Sequence, residues 1–158
     1  MMADRLIGSW ALVSSVFKGE DGAIHHPLGE QVLGRLNYEA NGTMAAQLYC
    51  ATRPRFASED LAQGSDREIR TAFVNMLCYF GRYRIDEDKQ CVIHRVEGCS
   101  FPNWLGSQQI RFYSFTGETL TLRTVPLQLD NRVQIGELVW QRLQAVEGEN
   151  HDYRASSE

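Results

Sequence analysis

The sequence predicts a mainly β protein: an eight-stranded antiparallel up-and-down barrel with one main α-helix between its third and fourth strands. Three observations carry this. Gly8-Ser9-Trp10 opens the first apolar run and Trp140-Gln141-Arg142 closes the last, so each end of the strand set brings a large residue to a seam. Between them, short runs of alternating apolar residues are separated by turn residues. One stretch only switches to helical spacing. Closing the sheet removes its exposed edges, and about eight strands leave room for one small ligand. A two-sheet sandwich is the competing arrangement.

Taken in order, residues 6–17 form the first strand, ended by the turn Glu20-Asp21-Gly22 and the irregular loop His25-His26-Pro27-Leu28-Gly29. Strands 34–39 and 43–50 flank Ala40-Asn41-Gly42, where Asn-Gly tolerates positive φ at both turn positions. Arg53-Pro54-Arg55-Phe56 breaks the pattern, and a helical turn is expected over 58–61. Ser65 and Glu68 have the spacing of a capping box. Ile69, Phe73, Met76, Leu77 and Phe80 then recur at helical spacing, which predicts a helix over 66–80 ended by Gly81. Strands follow at 82–85, 91–98, 108–115, 119–125 and 133–143. Residues 1–146 make one domain, and 147–158 read as a polar, disordered tail.

A chain of 158 residues can bury about two-thirds of its unfolded surface. Sixteen basic against twenty acidic residues give a net charge of −4, which argues against nucleic acid as a partner. No run approaches the ~20 apolar residues of a membrane span. Strand-like sequence begins at Leu6, so no secretory leader is expected, with a mature secreted protein lacking its leader as the alternative. Cys50, Cys78, Cys91 and Cys99 form no CxxC pair, and Cys91 and Cys99 lie too far apart on one strand for a disulfide. Reduced thiols and a cytoplasmic location are therefore expected.

Gly8-Ser9-Trp10 resembles the G-x-W opening of lipocalins, and Arg142 resembles the closing-strand arginine that packs across the first tryptophan. Further motifs occur in order: Pro27-Leu28-Gly29, Gly42-Thr43-Met44-Ala45-Ala46-Gln47 and Arg53-Pro54-Arg55-Phe56-Ala57-Ser58. After these come Phe80-Gly81-Arg82-Tyr83, His94-Arg95-Val96-Glu97-Gly98 and Phe101-Pro102-Asn103-Trp104-Leu105-Gly106, with Gln109 and Arg111. Together they resemble the lipocalin-like domain family of small intracellular bacterial and fungal proteins, over about residues 5–143. The resemblance implies a calycin-type barrel with a ligand cavity. It does not imply one activity, because relatives at the fold level include carriers and cofactor-free cyclases and isomerases.

Two residues are candidates for catalysis. His94 shares a strand face with Val92 and Val96, opposite Ile93, Arg95 and Glu97. If that face is inward, an imidazole among apolar side chains suits proton transfer. The alternative is a buried neutral histidine bonded to a carbonyl or a tyrosine. Arg111 alternates with Gln109 and Tyr113, opposite Ile110 and Phe112. Pointing inward it is a fixed cation for a carboxylate or enolate; pointing outward it pairs with Glu97 or Glu137. Candidate ligand-binding residues are Tyr38, Gln47, Tyr49, Tyr83, Asn103, Trp104 and Tyr113, with Tyr79 and Tyr83 bracketing the expected helix end. Gln47 and Tyr49 share parity with Ala45, while Met44, Ala46 and Leu48 take the other face.

No metal and no cofactor are expected. His25-His26 has no third ligand at metal spacing, and neither a Gly-rich phosphate loop nor GxSxG is present. The expected function is a cytosolic barrel that binds a small apolar or aromatic, polyketide- or terpenoid-like metabolite. It would promote a cofactor-independent isomerisation or cyclisation in secondary metabolism, with His94 as the acid/base and Arg111 or a tyrosine as the electrostatic partner. The alternatives are a non-catalytic carrier using the same cavity and an interaction domain with a filled barrel. The expected partner is a small hydrophobic ligand, and a homodimer is left open.

Overall fold

The computed structural model describes residues 2–145, so the expected tail lies outside the described residues. The elements run α1 (Met2–Leu6), β1 (Gly8–Gly19), β2 (Ile24–His25), β3 (Val32–Tyr38), β4 (Thr43–Cys50), α2 (Asp66–Val74) and β5 (Met76–Asp86). They continue with β6 (Cys91–Cys99), a 3-10 turn (Pro102–Trp104), β7 (Gln108–Thr116), β8 (Thr119–Thr124), β9 (Leu127–Leu129) and β10 (Arg132–Arg142). The eight long strands pair antiparallel in the order β1-β3-β4-β5-β6-β7-β8-β10, and β10 returns to β1. The barrel is closed. β2 and β9 extend β1 and β10 by two and three residues of pairing.

Closure rests on the two ends of the strand set. Trp10 faces Arg142 and Leu12 faces Trp140 across the β1–β10 seam, with a bulge between Leu12 and Ser14. Trp10 is 0% exposed and Trp140 2%. The Trp10 indole donates to the Leu6 carbonyl at 2.9 Å. Arg142 donates to the carbonyls of Ile7 (2.9 Å) and Arg5 and pairs with Glu118 at 2.9 Å. One tryptophan and one arginine thus satisfy carbonyls that α1 leaves open at its C-terminal end. Alternation predicts a strand beginning at Leu6. A five-residue helix is too short to impose its own period, so α1 was not expected.

The Asn-Gly hairpin forms between β3 and β4, but only Gly42 takes positive φ, at 88°. Asn41 instead turns its side chain back to accept from the Thr43 N–H at 3.0 Å, and the Gly42 N–H closes a turn on the Glu39 carbonyl. That is a type I turn followed by a left-handed glycine.

The helix after Ser65 starts as expected. The Ser65 side chain accepts from the Glu68 N–H, and the Glu68 carboxylate accepts from the Ser65 N–H. It ends earlier than expected, at Val74, where the Asn75 amide donates to the Thr71 carbonyl at 2.8 Å. Met76 to Phe80 belong to β5, not to the helix. Their spacing fits both periods, and pairing with β4, from Tyr49↔Met76 to Ala45↔Phe80, settles the choice. Phe80 points outward, opposite Gly98, with its ring where a Cβ on that glycine would sit (2.6 Å). Residues 58–61 form no helical turn. The Ser58 hydroxyl and the Asp60 carboxylate accept from the Asp60 and Ala62 N–H groups, so these side chains compete with helical bonding.

Candidate functional site

Alternation decides what faces the interior. On β4, Met44, Ala46 and Leu48 are buried, so Ala45, Gln47 and Tyr49 lie on the outer wall. On β6, Val92, His94 and Val96 point inward. On β7, Arg111 and Tyr113 are buried while Phe112 is exposed. This fixes the faces of the two strands that local sequence left open. Inside lies a cavity of about 580 Å³. Its walls are mostly apolar, with Leu36, Ala46, Leu48, Leu122, Leu138 and Trp140 among them. Polar side chains interrupt them: Tyr79, His94, Gln109 and Arg111 gather beside Trp104, and Ser15, Ser100, Thr124 and Gln128 also lie on the lining. Phe73 and Val74 of α2 reach the same cavity, so the helix stands over it.

His94 sits between two tyrosines. The Tyr38 hydroxyl is 2.6 Å from Nε2 and the Tyr79 hydroxyl is 2.9 Å from Nδ1. The imidazole is 1% exposed. Burial first, and the Arg111 charge second, hold its pKa well below the ordinary value, so the ring is neutral. Burial pushes the Tyr38 phenol well above its ordinary range, with Tyr79 adding to this and Arg111 opposing it. Burial also raises Tyr79, against the Arg111 charge.

A neutral imidazole accepts at one nitrogen and donates at the other. Among the described residues, Nε2 of His94 is the one hydrogen-bond partner of the Tyr38 hydroxyl. A buried hydroxyl proton left without an acceptor is costly, so Tyr38 donates to Nε2. Nδ1–H then donates to the Tyr79 oxygen. That leaves the Tyr79 proton to point into the cavity that Tyr79 lines. The chain Tyr38–His94–Tyr79 therefore presents a hydrogen-bond donor to whatever occupies the cavity.

Arg111 is 6% exposed, and its Nη1 donates to the Ile110 carbonyl at 3.0 Å. Its guanidinium carbon lies 5.7 Å from the centroid of the Trp104 ring. The two carboxylates considered as outer partners are taken elsewhere: Glu97 pairs with Arg82 at 3.1 Å and Glu137 with Arg123 at 2.9 Å. Among the described residues no carboxylate pairs with Arg111. Trp104 meets Tyr79 edge-on at 5.6 Å.

The other sequence candidates fall away from the cavity. Tyr38 is buried behind His94 rather than on the wall. Tyr83 packs edge-on against Tyr38 at 4.8 Å and donates to the Glu39 carbonyl at 2.8 Å. Tyr113 points inward but packs against Phe115, at 5.9 Å between rings. Asn103 is exposed in the 3-10 turn. Gln47 is exposed on the outer wall, and the Tyr49 hydroxyl accepts there from the Cys78 thiol at 3.1 Å. Parity with Ala45 rather than with Met44 and Leu48 is the physical reason both face outward. Sequence reasoning placed Tyr79 only at the end of the expected helix, as a cap over a ligand, and named Gln109 only as a strand neighbour of Arg111; the structure puts both on the cavity lining. The expected helix carried Tyr79 out of register with the sheet, whereas its alternation with Leu77 and Gly81 was the signal that could have found it. Among the described residues, no group of three or more His, Cys, Asp or Glu could hold a metal ion.

A mostly apolar cavity with hydroxyl groups and one fixed cation on its wall suits a small organic molecule. A family profile described as a lipocalin-like domain matches residues 7–143. A protein of Aspergillus oryzae, named 4'-hydroxy-3'-methoxypropiophenone carrier protein ppsC, is 33% identical over 107 residues, covering 63% of this chain and 96% of the relative.

Proposed function

Since the chain belongs to the lipocalin-like domain family, a family whose fold does not by itself fix an activity, we propose from its cavity that it binds and carries one small aromatic metabolite bearing a carbonyl or phenolic oxygen. The observation that carries this is the cavity of about 580 Å³ whose apolar wall is interrupted by Tyr79, His94 and Arg111. Its size falls in the range of small-molecule sites, about 300–1,000 Å³, and a few convergent polar groups in an apolar lining are their usual chemistry. The relative named as a carrier of a hydroxylated aryl ketone supports an aromatic ketone as the ligand class. Four free cysteines support a reducing, cytoplasmic setting.

The test is titration of the purified chain with 4'-hydroxy-3'-methoxypropiophenone and related aryl ketones, read by tryptophan fluorescence and native mass spectrometry. Trp104 and Trp140 line the cavity and report on its filling. Saturable binding of one molecule per chain is expected. Absence of binding across the series would remove the reading.

A second reading is isomerisation or cyclisation of the bound molecule. Its support is the Tyr79 hydroxyl, which faces the cavity and is backed by His94 at 2.9 Å, so that a proton delivered by Tyr79 is replaced through the imidazole. In this scheme Tyr79 touches the ligand and His94 acts through it, with Arg111 stabilising developing negative charge. Turnover of an enolisable aryl ketone, followed by exchange of its α-hydrogens in deuterated water, separates a catalyst from a carrier.

A further inference from the structure

We propose that the cavity holds its ligand as an oxyanion: a phenol or enolised aryl ketone whose oxygen gives up its proton on binding and lies between Arg111 and the Tyr79 hydroxyl. This rests on the reading of the cavity as a ligand site and names the chemical form that site takes.

The argument begins with Arg111. A guanidinium does not lose its charge in a protein, and a buried cation is costly unless something negative faces it. Arg111 is buried on the cavity wall with no carboxylate paired to it among the described residues. What the chain supplies is the Ile110 carbonyl, the face of Trp104 and the oxygen of the neutral Tyr79 hydroxyl, which together offset part of one charge. The titratable groups facing Arg111 are Tyr38 from β3, Tyr79 from β5 and His94 from β6. From β8 its cross-strand neighbour is Thr124, whose hydroxyl accepts from the Gly136 N–H. All three titratable groups are neutral. The wall therefore carries a positive charge that no residue on it balances.

The hydrogen-bond direction agrees with the charge. Because Tyr38 donates to His94 and His94 donates to Tyr79, the Tyr79 proton is aimed at the cavity. The buried Trp140 N–H, also on the lining, has no partner among the described residues. Beside the cation, the Tyr79 hydroxyl and the Trp140 N–H are donors, and donors next to a cation select an electron-rich oxygen, while the Gln109 amide, whose nitrogen bonds Ser107, adds an acceptor to the same lining. One guanidinium nitrogen is already occupied by the Ile110 carbonyl, which reduces the free fork a carboxylate would take. A single conjugated oxygen on an aromatic ring fits both the donor count and the apolar remainder of the wall. The balance is simple: the ligand O–H bond breaks, the electron pair stays on oxygen, and one proton leaves to solvent.

The experiment uses three para-nitro rings of similar shape and the intact protein. 4-Nitrophenol turns yellow when ionised, 4-nitroanisole cannot ionise, and 4-nitrobenzoate presents a carboxylate. In a buffer about one pH unit below the pKa of free 4-nitrophenol, the bound phenol should be yellow. Calorimetry in buffers of different ionisation enthalpy should show release of the proton. Affinity should exceed that for 4-nitroanisole by roughly tenfold or more, the scale of a hydrogen bond to a charged group. Arg111→Met should abolish the yellow colour, and Tyr79→Phe should weaken 4-nitrophenol by about tenfold. The wild-type spectra decide the matter even if Arg111→Met fails to fold.

A colourless bound phenol, or 4-nitroanisole binding as tightly as 4-nitrophenol, overturns the oxyanion while leaving the cavity reading intact. Tighter binding of 4-nitrobenzoate overturns it in favour of a carboxylate ligand. Failure of all three to bind removes the cavity reading as well.

Discussion

The guanidinium carbon of Arg142 lies 4.2 Å from the centroid of the Trp10 ring, and the two residues face each other across the seam where β1 meets β10. One contact therefore joins the first barrel strand, the last and the helix before them. A buried indole and a partly covered cation contribute here through packing, a cation–π contact and carbonyl bonds together.

Trp10→Ala should destabilise the protein by about 3–5 kcal/mol, the usual range for truncating a core aromatic. Arg142→Ala should cost less but in the same place, because it uncovers the Trp10 face and releases the Ile7 carbonyl. Urea unfolding of the two single variants and the double variant checks this. Full additivity would show that the two residues do not act as a unit.

Tyr79→Phe removes the donor that faces the cavity. An oxygen-bearing aryl ligand should bind about tenfold more weakly, since a hydrogen bond of about 1.4 kcal/mol corresponds to that factor. His94→Ala should have a similar effect on binding if the protein only carries its ligand. If it turns the ligand over, the same change should lower the rate by roughly 10²–10⁴-fold. Unchanged binding and rate in both variants would eliminate the relay from either role.

Stability should fall in mild acid because of His94. Its folded pKa is depressed, so the unfolded chain binds a proton that the folded one refuses. The contribution is complete above the ordinary histidine value of about 6.5 and declines below it by about 1.4 kcal/mol per pH unit, until the folded pKa is reached. Denaturant melts at about pH 7.5 and pH 5.5 should differ less in His94→Gln, where this linkage is gone. An equal pH dependence in the two proteins would contradict the burial argument.

Ser65→Ala should cost about 1 kcal/mol of helix stability, as expected for a lost N-cap. No residue of α2 is fully buried, so the loss should be local. Amide exchange in α2 should accelerate while the β-strand amides keep their protection. Because Phe73 and Val74 line the cavity, ligand on- and off-rates should rise together. Uniform loss of protection throughout the barrel would mean that α2 is part of the cooperative core.

The sequence disclosed the parts of this fold that rest on local chemistry. Alternation, turn residues and the capping box are short-range signals, and the Trp10 and Trp140 pair marked where the sheet closes. The end of α2 was not local. Met76, Leu77 and Phe80 satisfy helical spacing, and only the free edge of β4, supplied by residues 43–50, turns them into a strand. The site divides in the same way. His94 was legible because Val92 and Val96 mark its face as apolar. The face of Arg111 was not, because Gln109, Arg111 and Tyr113 read equally well as a solvent side. Gln47 and Tyr49 were open to exclusion from the parity of Met44, Ala46 and Leu48 alone. The relay itself depends on strand register, since Tyr38 and Tyr79 come to His94 from β3 and β5, and register is a property of pairing.

The Arg142 latch also sets an order of assembly. Its bond to the Ile7 carbonyl joins residues 135 positions apart, whereas the hairpins from β3 to β8 join near neighbours. Closing so long a loop directly costs about 4 kcal/mol from its length alone. The hairpins can zip first and shorten the gap, which makes the seam a late event in a slow, high-contact-order fold. Until β10 arrives, the β10-facing edge of β1 stands unpaired and Trp10 lacks its cover. A nascent or heat-loosened chain is therefore most exposed to edge-to-edge aggregation at this seam, and variants that weaken Arg142 should lose yield of folded protein before they lose affinity for a ligand.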